Sequence, residues 1–401
     1  MAAPAQGVAQ RGATPRLPRR LQSVLALQDF DLAGRRHLPR AVYGFIAGAA
    51  ETDSAMRHSR EAFTDYAFLP RVLADVSGRS QATTLFGRRY AAPFGVAPMG
   101  ASALAAYRGD LVLAQGASAA NLPMIVSGAS LIRLEEIREV GAHWYQAYQP
   151  GEPDRIEALV DRVAAAGYET FVLTVDLPVP GNRENNVRSG YSMPLKPTPR
   201  LVWDAIWHPE WLFGTWLKTM RLHGMPHFEN MDATRGPPIL SKNLVRNIGR
   251  RDQLSWEHVA LIRRRWKGNL VLKGILSPAD ARLAREHGVD GIIVSNHGGR
   301  QLDYAVSPLR VLSEIAADAG PMTVMLDGGI RRGTDVLKAL ALGAKFVFLG
   351  RPFLFAAAIG GEAGVRHAIG ILSEEIDRNL ALLGLRDISG VGPDHLVRQP
   401  V

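Results

Sequence analysis

The stretch GIIVSNHGGRQLD (291–303) decides how this chain is read. Its first four residues are apolar and β-rich, as a strand buried on both faces should be. The strand stops at Ser295, and a glycine-rich turn then holds His297, Gly298, Gly299 and Arg300. A histidine at such a place can move protons near neutral pH. The two glycines would let the backbone approach a ligand closely. Arg300 offers a planar fork of donors for a carboxylate. Taken alone, the same residues also describe a strand-end histidine in an ordinary turn, so the neighbouring segments have to decide.

Seven similar runs flank it: FGVAPM (94–99), MIVSG (124–128), HWYQAY (143–148), TFVLTVD (170–176), LVLKGI (270–275), TVMLDG (323–328) and FVFLGR (346–351). Helix-length segments lie between them at 131–140, 153–166, 255–266, 277–287 and 333–342, and a helical region precedes them at about 29–62. Ser277-Pro278, Ser307-Pro308 and Ser255 mark helix starts. Eight strand–helix alternations predict a (β/α)8 TIM barrel with an N-terminal helical segment, a doubly wound sheet being the alternative. Nearly every strand ends in a polar group: Ser127, Gln146 with Tyr148, Thr174 with Asp176, Lys273, His297, Asp327 and Arg351. In a barrel these would converge on one mouth.

Composition narrows the chemistry. With no cysteine, the chain of 401 residues has no disulfide, thiolate metal site or cysteine nucleophile. The eleven histidines are scattered, without metal-ligand spacing, so no metal is expected. The net charge of +9 asks for an anionic partner. Nucleic-acid motifs are missing, however, and no nucleic-acid partner is expected. A phosphate is better supported. Asp327-Gly328-Gly329-Ile330-Arg331-Arg332-Gly333 runs into a helix and Gly350-Arg351-Pro352 follows the last strand, where barrels cradle phosphates. Lys273 could stabilise negative charge on a cofactor ring at the same opening. On these residues alone a non-redox phosphate-binding barrel, such as an isomerase or aldolase, stays open.

Five segments carry a resemblance: SNHGGRQLD (295–303), LDGGIRRGTDVLKALALGA (326–344), GRP (350–352), LTVDLPVPGNRE (173–184) and LPRAVYGFIAGAAE (38–51). Through them the chain resembles the FMN-dependent (S)-2-hydroxy acid oxidases and dehydrogenases, a family that includes glycolate oxidase, flavin-type lactate dehydrogenase and mandelate dehydrogenase. The resemblance implies that FMN is the cofactor and that a 2-hydroxy acid is oxidised to a 2-oxo acid. It makes His297 the catalytic base and Asp176 the carboxylate that supports it. Arg183 and Arg300, with Tyr43, become the substrate-carboxylate clamp, and Tyr148 the partner of the substrate hydroxyl. Lys273, Ser127, Gln146 and Thr174 would meet the flavin ring, with Ala97, Pro98 and Met99 beside it. Asp327, Gly328, Gly329, Arg331, Gly350 and Arg351 would hold the ribityl chain and phosphate. Whether His297 takes the C2 proton or the hydroxyl proton is left open. A homotetramer is the assembly that the family implies.

Two departures bear on specificity. Gly100 resembles the dehydrogenase branch, which passes electrons to a quinone or another acceptor, whereas an oxidase would make hydrogen peroxide from oxygen. Ala129 stands where a tryptophan narrows the plant oxidase pocket, which leaves room for a larger side chain. The connection 186–250 is far longer than a usual barrel loop. It holds Trp203, Trp207, Trp211 and Trp216, the first three at a spacing that predicts one helical stripe. Between 196 and 251 there are nine Lys/Arg against four Asp/Glu. Tryptophan with basic charge predicts contact with a membrane surface, a lid over the barrel being the alternative. The expected domain plan is a disordered basic tail (1–28), one FMN-binding barrel (29–395) with this insertion, and a C-terminal tail (396–401). The expected location is cytoplasmic, with peripheral attachment to the inner face of the cell membrane.

Overall fold

The computed structural model describes residues 17–241 and 251–399. The eight apolar runs become the strands of one parallel sheet: β1 (Phe94–Val96), β2 (Ile125–Ser127), β3 (Trp144–Ala147), β4 (Thr170–Thr174), β5 (Asn269–Ile275), β6 (Gly291–Val294), β7 (Thr323–Asp327) and β8 (Phe346–Leu349). They pair in chain order from β2 to β8, and β8 pairs back onto β1. A parallel bridge from Val96 to Met124 closes the ring, with Val96 N donating to Pro123 O at 2.9 Å. First and last strands are therefore neighbours. That makes a (β/α)8 barrel and rules out the open doubly wound sheet.

Alternation along each strand divides the core in two. Ile125, Trp144, Val172, Val271, Ile293, Met325, Phe346 and Phe348 fill the barrel interior, and Leu85 and Tyr90 of the hairpin Thr83–Leu85/Arg88–Tyr90 join that cluster. Phe171, Leu173, Leu270, Leu272, Ile292 and Val294 point outward into the larger core beneath the helices. Five expected helices form as Leu134–Glu139, Pro153–Ala165, Trp256–Arg265, Pro278–Glu286 and Gly333–Ala341. Ser277 accepts from Ala279 N, but Ser307 stands at its helix start without a capping bond from its side chain.

Three N-terminal helices, Leu27–His37, Arg40–Ala47 and Ser54–Glu61, wrap the barrel. The last is clipped over the mouth by glycines that were expected to face a ligand. Gly299 (φ +76°) and Gly329 (φ +79°) are left-handed, and a Cβ on them would lie 2.5 Å from Met56 N and 2.1 Å from Ser59 O. Gly298 alone of the pair at 298–299 faces the cavity described below. Asp303 completes the clip as a cap supplied from a distant turn. Its carboxylate accepts from Thr52 N, Thr52 Oγ1 and Ala55 N at 3.0, 2.5 and 2.8 Å.

Three expectations change. Residues 17–28 are not tail: Leu21, Val24 and Leu27 are buried, and Leu21 packs on Gly360. At the other end Leu396–Arg398 pairs antiparallel with Tyr66–Phe68. The tryptophan stripe is also broken. The helix Pro199–Ile206 ends before Pro209, which cannot continue its hydrogen bonding. Trp211 consequently turns inward, 5% exposed, and its Nε1 donates to Leu104 O at 2.7 Å. Trp203 and Trp207 stay 63% and 68% exposed.

Burial opposes the charge of Asp303, but the hydrogen bonds from Thr52, Ala55 and Tyr304 outweigh it and pull its pKa down to about 2. Asp303→Ala should destabilise the protein by about 1–3 kcal/mol in urea unfolding at neutral pH. Because the folded pKa is depressed, this advantage is full above the ordinary carboxylate range near 4 and fades as pH falls toward about 2. An unfolding curve unchanged at neutral pH would show that the clip carries no load.

Candidate active site

His297 follows β6 in the short 3-10 turn His297–Gly299. Its backbone is left-handed, φ +57°, a strained state that persists only where the surroundings enforce it. Here His297 N donates to Ser295 Oγ at 3.0 Å and Gly299 N to Asn296 Oδ1 at 3.2 Å. Two residues past β4, Asp176 Oδ1 lies 3.0 Å from the ring's Nδ1. A carboxylate only accepts, so the neutral ring carries its proton on Nδ1 and presents Nε2 as an acceptor. Burial lowers the His297 pKa, Asp176 partly restores it, and Lys273 and Arg183 lower it further, so it ends below the ordinary 6.5. The ring is neutral at pH 7. Burial would raise the Asp176 pKa, but His297 and Lys273 outweigh it and the carboxylate stays ionised.

Lys273, 3% exposed, projects from β5. Its Nζ donates to Ser295 Oγ and pairs with Asp327 Oδ2, both at 3.0 Å. Burial works against its charge, yet Asp327 and Asp176 hold its pKa above the usual lysine value. The next residue, Gly274 (φ +113°), sits at an irregularity in the β5–β6 register, and a Cβ there would meet Asp176 Cβ at 2.6 Å. This bulge lets Asp176 pack where it reaches the histidine.

His297, Lys273, Arg183, Arg300 and Tyr148 line one cavity of about 310 Å³ at the C-terminal ends of the strands. Arg183 Nη2 donates to Gln301 Oε1 at 2.7 Å, and Gln301 Nε2 is held by Asp176 O and Val179 O. Arg300 Nη1 donates to Phe45 O at 2.8 Å and Gly48 O at 2.9 Å. At the other end, burial first and Arg351 and Arg60 next push Arg331 down to about 9. Burial also pushes Arg351 down to about 10, against Asp53 and Asp31, which raise it, and with Arg183 and Arg60, which lower it further. Such cations call for an anion between them.

Most of the expected residues meet here. Ala97, Pro98, Met99, Thr174, Asp327, Gly328, Gly329 and Gly350 also line the cavity. Ser127 and Gln146 are buried beside it without lining it, joined by a 3.2 Å hydrogen bond. Asp176 stands behind His297. Tyr43 does not reach the site: its hydroxyl donates to Asp31 Oδ1 at 2.9 Å and its ring stacks on Phe355. Two residues on, roughly 200° around the helix, Phe45 takes the cavity wall instead and brings no hydroxyl. Sequence reading also missed Gln301, Met193, Phe228, Met231 and Arg251. Met193, Phe228 and Met231 belong to the long connection and Arg251 directly follows it, and no spacing signal marks any of these four.

The residues present fit FMN. Among the described residues, Gln146 Nε2, Thr174 Oγ1, Asp176 Oδ2 and Asp327 Oδ1 are buried atoms without a partner. A ring edged with donors and acceptors can satisfy such atoms, and a phosphate can neutralise Arg331 and Arg351.

Comparison with known proteins agrees. Residues 34–398 match the family described as FMN-dependent dehydrogenase. The chain is 35% identical over 382 residues to the (S)-mandelate dehydrogenase of Pseudomonas putida, covering 95% of each. It is 37% identical over 383 residues to the L-lactate dehydrogenase of Stenotrophomonas maltophilia (strain R551-3), covering 94% of this chain and 100% of that one. A solved structure of the monotopic membrane protein (S)-mandelate dehydrogenase matches with TM-score 0.87 and 34% identity, over 94% of this chain and 100% of the other.

Replacing Arg331 tests the phosphate end. Its Nη1 donates only to the neighbouring Ile330 O among the described residues, so the fold loses little. Arg331→Met should weaken FMN about 10–100-fold, the worth of one charge-assisted hydrogen bond, while riboflavin, lacking the phosphate, changes little. Equal losses for both would contradict the assignment.

Proposed function

This chain belongs to the FMN-dependent dehydrogenase family, and on that premise we propose the division of labour by which it oxidises (S)-2-hydroxy acids to 2-oxo acids. The observation that carries the reading is a neutral histidine, its Nδ1 held by Asp176, sharing one cavity with two arginines. Arg183 and Arg300 bind the substrate carboxylate and so place C2 beside the ring. Tyr148 meets the hydroxyl. His297 Nε2 takes a proton from the substrate, and Asp176 stabilises the imidazolium that results. FMN, when bound, supplies the acceptor for the two electrons that leave C2. Lys273 holds a fixed positive charge where negative charge grows. Gln146, Thr174 and Asp327 offer their unpartnered atoms to the cofactor, and Arg331 and Arg351 hold its phosphate.

The cavity wall supports a side chain bulkier than methyl. Ala129 adds little volume, and Met193, Phe228 and Met231 provide apolar surface. The (S)-mandelate dehydrogenase relative acts on such an acid by its name.

The acceptor we infer is a quinone met at a membrane surface. Trp203, Ile206, Trp207, Phe213, Leu217 and Leu222 are exposed apolar groups of one connection. They lie among Lys196, Arg200, Lys218 and Arg221. Exposed apolar groups with basic neighbours favour an anionic lipid surface. No helix among the described residues is long and apolar enough to cross a membrane, so attachment would be at the surface, as in the monotopic relative.

An anaerobic titration of the yellow holoenzyme with (S)-lactate and (S)-mandelate tests the reaction. Bleaching is expected, with mandelate the better reductant. Colour should then return slowly in air and quickly with a quinone carried in anionic-lipid vesicles. Rapid return in air with hydrogen peroxide would make the protein an oxidase, and a spectrum unmoved by any 2-hydroxy acid would overturn the proposal.

A further inference from the structure

Arg251 belongs to neither the carboxylate clamp nor the phosphate cradle. It opens the turn Arg251–Gln253 ahead of the helix Trp256–Arg265. It lines the cavity that holds His297, yet is only 9% exposed. Its guanidinium carbon lies 5.0 Å from the centre of the Tyr148 ring. Its Nε is shut off from solvent without a partner, and no hydrogen bond or ion pair joins the side chain to any described residue. A guanidinium taken out of water without an acceptor is costly. Attraction to one phenol ring offsets only part of that.

The surroundings make a shared role with the clamp a poor explanation. Tyr148 borders both Arg300 and Arg251, but the charge of Arg183 acts on Arg300 and not on Arg251, whose charged neighbour is Arg155. Arg155 is itself held by Glu152 and Asp232. The cavity thus has two separate positive poles at its substrate end, one at Arg183 and Arg300 and one at Arg251. Apolar wall from Met193, Phe228 and Met231 belongs to the same cavity, and Ala129 leaves it open. The two acids of the site that could neutralise a cation are engaged elsewhere, Asp176 with His297 and Asp327 with Lys273.

We propose that Arg251 binds a second anionic group at the far end of the substrate's side chain, so that the preferred substrate is a 2-hydroxy dicarboxylic acid. The first carboxylate takes Arg183 and Arg300, the methylene chain follows the apolar wall, and the terminal carboxylate pairs with Arg251. The inference rests on the 2-hydroxy acid reading above and names the side chain that reading left open.

The test is anaerobic single-turnover reduction of the holoenzyme by (S)-2-hydroxyglutarate and by (S)-2-hydroxypentanoate, which has the same carbon chain without the second acid. The wild type should favour the diacid by about tenfold or more in reduction rate over dissociation constant. Arg251→Gln should abolish that preference, a loss of about tenfold or more for the diacid, through the dissociation constant more than the limiting rate. A wild type that reduces as well or better with the neutral acid overturns the role of Arg251 and leaves the 2-hydroxy acid reading standing. That ranking decides the matter even if the variant does not fold. If neither these nor lactate and mandelate bleach the flavin, the underlying reading falls and this inference with it.

Discussion

The carbonyl groups that end the helix Arg40–Ala47 accept hydrogen bonds from two half-buried arginines. Arg300 Nη1 reaches Phe45 O and Gly48 O, and Arg351 donates to Ile46 O and Gly48 O. A helix C-terminus carries partial negative charge, so it can hold cations without neutralising them fully. That constraint organises the mouth of the barrel. It ties the N-terminal helices to the turn after β6 and to the start of the helix after β8. It also leaves the outward ends of both guanidinium groups available to anions. On the proposed reading the cofactor phosphate and the substrate carboxylate are the groups of matching charge, and the partial burial of the arginines makes their arrival favourable.

Around that frame the reactive group is fixed by backbone as much as by side chain. A histidine in a left-handed turn has little freedom, and Ser295 and Asn296 remove more of it. Ser295 Oγ also accepts from Lys273, so the turn that sets the base and the lysine that holds charge share one hydroxyl. Gly274 yields the space into which Asp176 packs. The pairing of Asp176 with His297 is therefore a product of the bulge in β5, a feature distant in sequence from both.

Much of this was legible in the chain. Eight apolar runs with polar ends predict the barrel, and their order predicts that Lys273, His297, Asp327 and Arg351 meet. Glycines could be placed in turns, but their use could not: Gly299 and Gly329 make room for a helix 240 or more residues earlier, which only the folded chain brings near. Tyr43 and Phe45 lie on opposite sides of one helix, and spacing alone does not choose which of them faces the cavity. Proline at 209 was visible, yet its effect on the tryptophan spacing depends on where the preceding helix stops. Arg251 was hidden for a different reason. It sits just past the long connection in a turn that belongs to no periodic pattern, and its significance lies in the partners it lacks.

The central claim is that a neutral His297, supported by Asp176, takes the substrate proton. The most direct measurement is the pH dependence of anaerobic flavin reduction in Asp176→Asn beside the wild type. Protonated histidine cannot accept, so the wild-type rate should fall as pH drops through a pKa below the ordinary 6.5. Asp176 raises that pKa, so its removal should slow the reaction by about 100-fold or more and move the acid limb to lower pH. An acid limb that stays in place when Asp176 is replaced, or a rate indifferent to pH across that range in both proteins, would contradict the account.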